Sequence, residues 1–251
     1  MTSPELEQLR TTIVETAREA GEVLRSYCGR DLKVNEASQH DLKLQADIDS
    51  QNLIERRLIE AYPHSSILGE EGGEGGTEME WIVDPIDGTV NLAYGIPHFC
   101  VSIAGRVKGE VLAGVVYDPM KNECFDAVRG QGARLNGTLI QTSNRTQLKE
   151  AIITVGFAKY DGTVEKCLEL YRFYANRVRK LRAMGSAALD LAYIAAGRFD
   201  AYIEQDISLW DIAAGELLVL EARGKVEKVT KPGRHKFHIK AWNGKIDFPE
   251  S

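Results

Sequence analysis

Trp81-Ile82-Val83-Asp84-Pro85-Ile86-Asp87-Gly88-Thr89 is the stretch on which the reading of this chain turns. Trp81 to Val83 has the apolar composition of a buried strand. It delivers two carboxylates, Asp84 and Asp87, three positions apart, into a tight turn. Pro85 fixes one backbone angle, and Gly88 lets the chain come close to a ligand. Aspartates at a strand end need a cation or several donors, because burying an unpaired charge is costly. Oxygen-only ligation favours Mg²⁺, Mn²⁺ or Ca²⁺ over Zn²⁺. Asp87-Gly88-Thr89 is suited to opening a short helix whose free N–H groups hold an anion. A dicarboxylate beside such a site is the layout of metal-assisted phosphoryl transfer. Taken alone, the stretch reads about as well as an Asx turn in which both aspartates cap backbone.

Further acidic positions flank it. Gly69-Glu70-Glu71-Gly72-Gly73 places two carboxylates after a short strand, Ser66 to Gly69, and ahead of a glycine-rich loop. By itself this is a solvated loop. Trp210-Asp211-Ile212 puts Asp211 at the start of a helix, and Asp47 sits where another begins. Each alone reads as a helix cap. Glu204 closes a short strand, where a solvated terminus is the plain alternative.

The rest of the chain supplies the scaffold. Leu6, Leu9, Ile13, Ala17, Ala20 and Leu24 follow helical spacing over Pro4 to Cys28, with Ser3 as N-cap. A polar loop is expected over Asn35 to His40, and a second helix from about Ile48 to Ala61. Phe99–Ala104, Leu112–Tyr117 and Glu123–Val128 read as strands of an antiparallel meander, and Asn136-Gly137 as a turn. Later, strands at Ile152–Gly156 and Ala201–Glu204 alternate with helices at Thr163–Arg177, Ala187–Ala196 and Asp211–Ala222. That alternation points to an α/β layered lobe. Two lobes, 1–145 and 146–251, are expected to meet near residues 140 to 150.

Composition sets outer limits. The 251 residues carry a formal charge of −6 and 43% hydrophobic residues. These values exclude wholesale disorder and give no bulk attraction for nucleic acid. Cys28, Cys100, Cys124 and Cys167 are scattered, which argues for reduced thiols rather than a zinc site. The five histidines show no triad pattern. With no basic apolar leader and no span of about 20 apolar residues, the expectation is a cytoplasmic protein with no membrane partner.

Together, Gly69-Glu70-Glu71, Trp81 to Asn91, Gly185-Ser186-Ala187-Ala188-Leu189 and Trp210 to Gly215 resemble the inositol monophosphatase family of metal-dependent, lithium-sensitive phosphatases. Gly114–Pro119 and Gly130–Gly137 are similar to the family's intervening strands. Order and spacing hold over nearly the whole chain. The resemblance implies a layered α/β/α/β/α sandwich of the inositol monophosphatase and fructose-1,6-bisphosphatase type, and a homodimer. It implies a Mg²⁺-dependent phosphomonoesterase that converts inositol monophosphate to inositol and phosphate. Two or three Mg²⁺ ions are implied, with Mn²⁺ as a substitute. Glu70, Asp84 and the Ile86 carbonyl would hold one ion, and Asp84, Asp87 and Asp211 a second. Glu70 would also serve a third. Gly88 and Thr89 would present N–H groups to the phosphate. Asp47 would accept from the Thr89 hydroxyl and so help polarise the attacking water. Ile86, Asp87 and Asp211 would also line the substrate, with Gly185, Ser186, Ala187 and Glu204 facing its alcohol.

The chain departs from the family pattern in places. Asp41-Leu42-Lys43-Leu44-Gln45-Ala46-Asp47 has Lys43 for a small apolar residue and Leu44 for a threonine. Glu36 stands where many relatives carry a basic residue near the third metal, with Lys33 close by in sequence. Leu92 replaces a phenylalanine, and Arg223 a glycine. Val90-Asn91-Leu92 differs from the pattern of phosphatases acting on 3′-phosphoadenosine 5′-phosphate. Gln205 to Trp210 lacks the arginines of bisphosphatase relatives, so a second phosphate has no evident partner. Histidinol phosphate stays open as a substrate. A metal-binding scaffold for a macromolecular partner is the non-enzymatic alternative.

Overall fold

Burial of a 3.6-residue period and of a 2-residue period alternates along the chain and builds its layers. A computed structural model describes residues 1–30, 34–37, 42–73, 75–157, 163–233 and 235–248, with backbone alone at 34–37 and 42–43. Helix α1 (Ser3–Tyr27) buries Leu9, Ile13, Ala17, Ala20 and Leu24 along one face. Its N-cap is Thr2 rather than the expected Ser3, and the Thr2 N–H donates to Glu5 Oε2 at 2.6 Å. Strands β1 (Val34–Ala37) and β2 (Leu42–Leu44) pair antiparallel. The stretch read as a polar loop is therefore a strand as far as Ala37. Residues 38–40, with Lys33 and Asp41, lie outside the described residues. The side chains of Glu36 and Lys43 do too. Helix α2 (Gln45–Ala61) starts three residues earlier than expected.

The first sheet has seven strands in chain order: β3 (Ser66–Gly69), β4 (Met79–Asp87), β5 (Cys100–Val107), β6 (Glu110–Asp118), β7 (Glu123–Val128), β8 (Ala133–Leu135) and β9 (Thr138–Ile140). Only β3 and β4 run parallel; the rest is the expected meander. Asn136 and Gly137 turn β8 into β9 with φ of 49° and 82°, as a tight hairpin requires. A short helix, α3 (Thr89–Ala93), lies between β4 and β5.

The second sheet has five strands: β10 (Ile152–Val155), β11 (Lys180–Arg182), β12 (Ala201–Ser208), β13 (Lys225–Thr230) and β14 (Lys236–Trp242), in the order β11-β10-β12-β14-β13. Helix α4 (Thr163–Ala175) precedes β11, α5 (Ala187–Ala195) precedes β12, and α6 (Leu209–Glu221) follows it. Helices α1 and α2 cover the outer face of the first sheet. Helices α5 and α6 fill the space between the sheets. Helix α4 covers the outer face of the second. This is the α/β/α/β/α sandwich that the resemblance implied. Among the described residues no helix is long and apolar enough to cross a membrane.

Strand β12 runs four residues past the expected Glu204, and α6 starts two residues before the expected Asp211. Helix α4 ends two residues before Arg177. The hairpin of β13 and β14 is absent from the sequence reading. Half of β13, Lys225, Glu227 and Lys228, is charged, and β13 is an exposed edge, where charge discourages pairing with other chains.

Leu92 and Arg223 have different physical readings. Leu92 is buried in the outer core. Arg223 follows the C-cap of α6 with a left-handed φ of 69°, a position where glycine carries no Cβ penalty. Arg223→Gly is therefore expected to raise the midpoint of thermal unfolding, by a stabilisation of about 0.5–1 kcal/mol. Calorimetry of the two proteins checks this, and a lower midpoint in the variant would contradict it.

Candidate active site

A β-bulge decides where the two aspartates of the central motif point. Asp84 lies opposite Ser102 on β5, and Asp87 opposite Cys100. Three residues of one strand thus span two of the other. Positions three apart in an unbroken strand face opposite ways. The extra residue returns both carboxylates to one face, the face that α5 and α6 cover. Pro85 lies within the bulge, where the ladder is already interrupted. The strand therefore continues to Asp87 rather than ending at Val83. Gly88 then reverses the chain with φ of 101°, and a Cβ there would stand 3.0 Å from the His98 carbonyl oxygen.

Asp87 reaches across the interlayer space to the start of α5. Its Oδ2 accepts from Ser186 Oγ at 2.7 Å and from the Ala188 N–H at 2.6 Å. Its Oδ1 accepts from the Ala187 N–H at 3.2 Å. These donors and the positive end of α5 favour the charged carboxylate. Burial wins nonetheless, and Asp87 is pushed up to about 6. Asn91 braces the same junction. Its Nδ2 is 2.7 Å from the His98 carbonyl and 3.0 Å from that of Met184, with the Gly185 carbonyl at 3.3 Å. Sequence reasoning gave Asn91 no role, since its partners just before α5, Met184 and Gly185, lie about ninety residues away.

Asp84 and Asp211 complete the acidic patch. Asp84 Oδ1 accepts from the Ile86 N–H at 3.0 Å, so the Asx-turn reading holds for this residue. Asp211 is at the third position of α6 rather than its cap, and its Oδ2 accepts from the Ser208 N–H at 3.0 Å. Ser102, the register partner of Asp84, places its hydroxyl 3.4 Å from the Trp210 carbonyl and so ties α6 to β5. Burial raises Asp84 well above the ordinary carboxylate range, with further repulsion from Glu70, Asp87 and Asp211. Burial, then repulsion from Asp87, pushes Asp211 up to about 8. Four carboxylates from three separate stretches thus feel one another. Cys100 Sγ lies 3.8 Å from Asp87 Oδ2. Burial and that carboxylate push its thiol up, which makes it a poor nucleophile.

Asp47 and Thr89 meet as expected. Thr89 Oγ1 is 3.2 Å from Asp47 Oδ1 and 2.9 Å from the Ile86 carbonyl oxygen, two acceptors for one proton. Asp47 Oδ2 also accepts from the Leu44 N–H at 2.6 Å, inside the first turn of α2. Burial raises Asp47 to about 6. The Leu44 departure leaves this contact intact, because the backbone makes it.

Glu204 is buried, not a solvated strand end. Tyr202, two positions earlier and so on the same face, donates its hydroxyl to Glu204 Oε2. Gly156 leaves the space: a Cβ there would lie 1.8 Å from that oxygen. Burial pushes Glu204 up to about 7.

The donor chemistry fits a hard divalent cation. It is all oxygen, it is acidic, and its carboxyls hold protons that a cation would displace. Among the described residues, though, no three His, Cys, Asp or Glu side chains stand grouped as a metal-binding set. Asp84, Asp87 and Asp211 are turned onto backbone N–H groups instead. Ile86 offers its carbonyl to the Thr89 hydroxyl.

The model of the inositol monophosphatase family matches residues 5–246. The chain belongs to this family. A relative in Pseudomonas aeruginosa, Nus factor SuhB, is 42% identical over 246 residues, covering 92% of this chain and 90% of its own. The structure of the extragenic suppressor protein SuhB from Bartonella henselae superposes with a TM-score of 0.86 at 37% identity, covering 94% of each chain. Inositol monophosphatase from Anabaena superposes with a TM-score of 0.83 at 34% identity, covering 96% of this chain and 92% of its own. The inositol monophosphatase family is metal-dependent.

A pH experiment tests the acidic patch of this family member. The folded chain keeps the Asp211 proton to about pH 8, whereas an unfolded aspartate loses it near pH 4. The folded state therefore binds more protons between those values. Asp211 thus withdraws stability as pH rises from about 4 to about 8. In chelator, Asp211→Asn should unfold at a higher temperature than the wild type at pH 8, by a few degrees. The gap should close toward pH 4. Parallel melting curves across this range would overturn the assignment.

Proposed function

We propose that this chain is a Mg²⁺-dependent phosphomonoesterase that hydrolyses inositol monophosphate to inositol and phosphate. The observation that carries this reading is the bulge in β4. It turns Asp84 and Asp87 to one face beside Asp211, next to the left-handed Gly88 and the Asp47–Thr89 contact. Membership of the family supports it. Glu70, Asp84, the Ile86 carbonyl, Asp87 and Asp211 would hold two or three ions, and Mn²⁺ would serve in place of Mg²⁺. When bound, the metal supplies Lewis acidity that neutralises phosphoryl charge and lowers the pKa of water.

The chain's own groups do the rest. The N–H groups of Gly88 and Thr89 hold the phosphate. Asp47 holds the Thr89 hydroxyl proton, so that a lone pair of Thr89 accepts from the attacking water. Glu70 accepts from the same water. Attack is in line with the departing alcohol. Gly185, Ser186, Ala187 and Glu204 orient that alcohol, and the buried Glu204 carboxylate accepts its hydroxyls. No protein nucleophile is required. A homodimer belongs to the same reading.

A second reading rests on the Pseudomonas aeruginosa relative, which is a Nus factor. This chain would then also act through protein or RNA. Activity that survives in a catalytically dead variant would separate the two roles.

Phosphate release from inositol 1-phosphate should require Mg²⁺. Fructose 1,6-bisphosphate, 3′-phosphoadenosine 5′-phosphate and histidinol phosphate complete the panel. No metal-dependent turnover on any of them would sink the enzymatic reading. Asp87→Asn should cut kcat by on the order of 10²–10³-fold or more, with circular dichroism unchanged; wild-type turnover would refute its role. Li⁺ should inhibit, and full activity in excess Li⁺ would count against this reading.

A further inference from the structure

Two other residues build a seat for the Glu204 carboxylate. Strand β12 places Tyr202 and Glu204 two positions apart, so both side chains leave the same face. Tyr202 is buried, at 1% exposure, in the core between the sheets that α5 fills. Its backbone is held on both sides, by Thr154 of β10 and Ala241 of β14. Close packing keeps the ring in place, and its hydroxyl donates to Glu204 Oε2. Gly156 supplies the floor of the seat. Its N–H donates to the Ile203 carbonyl at 2.9 Å, which holds it against β12. Its φ is not left-handed, so no backbone demand calls for glycine there. Space calls for it: a Cβ would stand 1.8 Å from Glu204 Oε2 and 2.3 Å from Cδ. A larger residue would push the carboxylate out of its place.

We propose that Tyr202 is a positioning residue for the substrate alcohol: it holds the Glu204 carboxylate, seated on Gly156, in the direction from which it accepts a polyol hydroxyl. The proposal rests on the phosphomonoesterase reading and deepens it. Choice of a hydroxyl-rich alcohol, rather than hydrolysis itself, depends on this pair. With Oε2 held and Cδ seated, the direction of Oε1 follows from the planarity of the carboxylate. Without the donor, a buried carboxylate turns toward another partner or takes up a proton, and either change spoils it as a fixed acceptor. The Tyr202 hydrogen bond opposes both, because it favours the charged form against burial. Tyr202 acts through Glu204 and sets its geometry before the substrate arrives.

The test uses the full chain in Mg²⁺. Its readout is the ratio of kcat/KM for inositol 1-phosphate to that for cyclohexyl phosphate, the same ring without hydroxyls. The ratio cancels any loss of folded enzyme. Tyr202→Phe removes one oxygen and should lower the ratio about 10- to 100-fold, the worth of one hydrogen bond to a charged group. The change should fall mainly on KM for inositol 1-phosphate. Gly156→Ala should lower the ratio at least as much. A tyrosine that only fills the core would leave the ratio alone, so an unchanged ratio in Tyr202→Phe overturns the proposal. A double-mutant cycle on inositol 1-phosphate gives a second check. In a Glu204→Ala background Tyr202→Phe should cost nothing further in kcat/KM; an equal loss in both backgrounds overturns the proposal. So does a wild type that turns over cyclohexyl phosphate as well as inositol 1-phosphate, while the phosphatase reading survives. If the wild type turns over neither substrate nor any other in the panel, the phosphatase reading itself fails.

Discussion

Asp87 joins the two halves of this protein. It leaves the end of a strand in the first sheet and accepts three hydrogen bonds from Ser186, Ala187 and Ala188 at the start of α5. Helix α5 in turn packs on α6 and on the second sheet. A buried carboxylate with no donors would be intolerable in that space. With these donors it fixes the angle at which α5 enters, and with it the Gly185-Ser186-Ala187 segment. Asn91 clamps the same segment from α3. One short sequence motif therefore supplies two carboxylates of the acidic patch and holds the start of α5 against it.

The acidic patch is held in a state of electrostatic tension. Asp84, Asp87 and Asp211 sit on separate backbone anchors; burial raises all three, and neighbouring carboxylates raise Asp84 and Asp211 further. Such tension is what a divalent cation relieves, and binding one would release protons. The anchors also share the charge of the patch among local donors. Helix first turns at α2 and α6 accept Asp47 and Asp211 as local acceptors, positions where negative charge is favourable. A site of this kind combines stability from local capping with reactivity from crowding.

Much of the architecture was legible in the sequence because strong periodic signals survive translation into structure. The long α1, the strands of the meander and the turn at Asn136-Gly137 all carry their own local physics. Ends of elements were less legible. Capping at Thr2, Asp47 and Asp211 depends on side chains reaching backwards, so the first turn begins before the apolar pattern does. The β13–β14 hairpin was missed because an exposed edge strand replaces apolar residues with charge. Arg223 shows the converse case: a departure noted in the sequence that the backbone explains as a left-handed residue.

By itself the sequence determined the inventory: an apolar strand ending in Asp84 and Asp87, the carboxylates Asp47, Glu70 and Asp211, and the glycine that follows Asp87. Five of the chain's negative charges belong to that set, and the remainder of the molecule is close to neutral. What it left open was direction. Two aspartates three residues apart point opposite ways in a regular strand, and only the bulge against Ser102 and Cys100 turns them to one face. For Glu204 the residues alone left a solvated end and a site residue about equally open, and Gly156 and Tyr202 enclose it. Side-chain direction, burial and the meeting of distant segments are properties of packing. Packing is settled by contacts between separate segments, up to about a hundred positions apart at Asp87 and Ser186, and no local pattern encodes it.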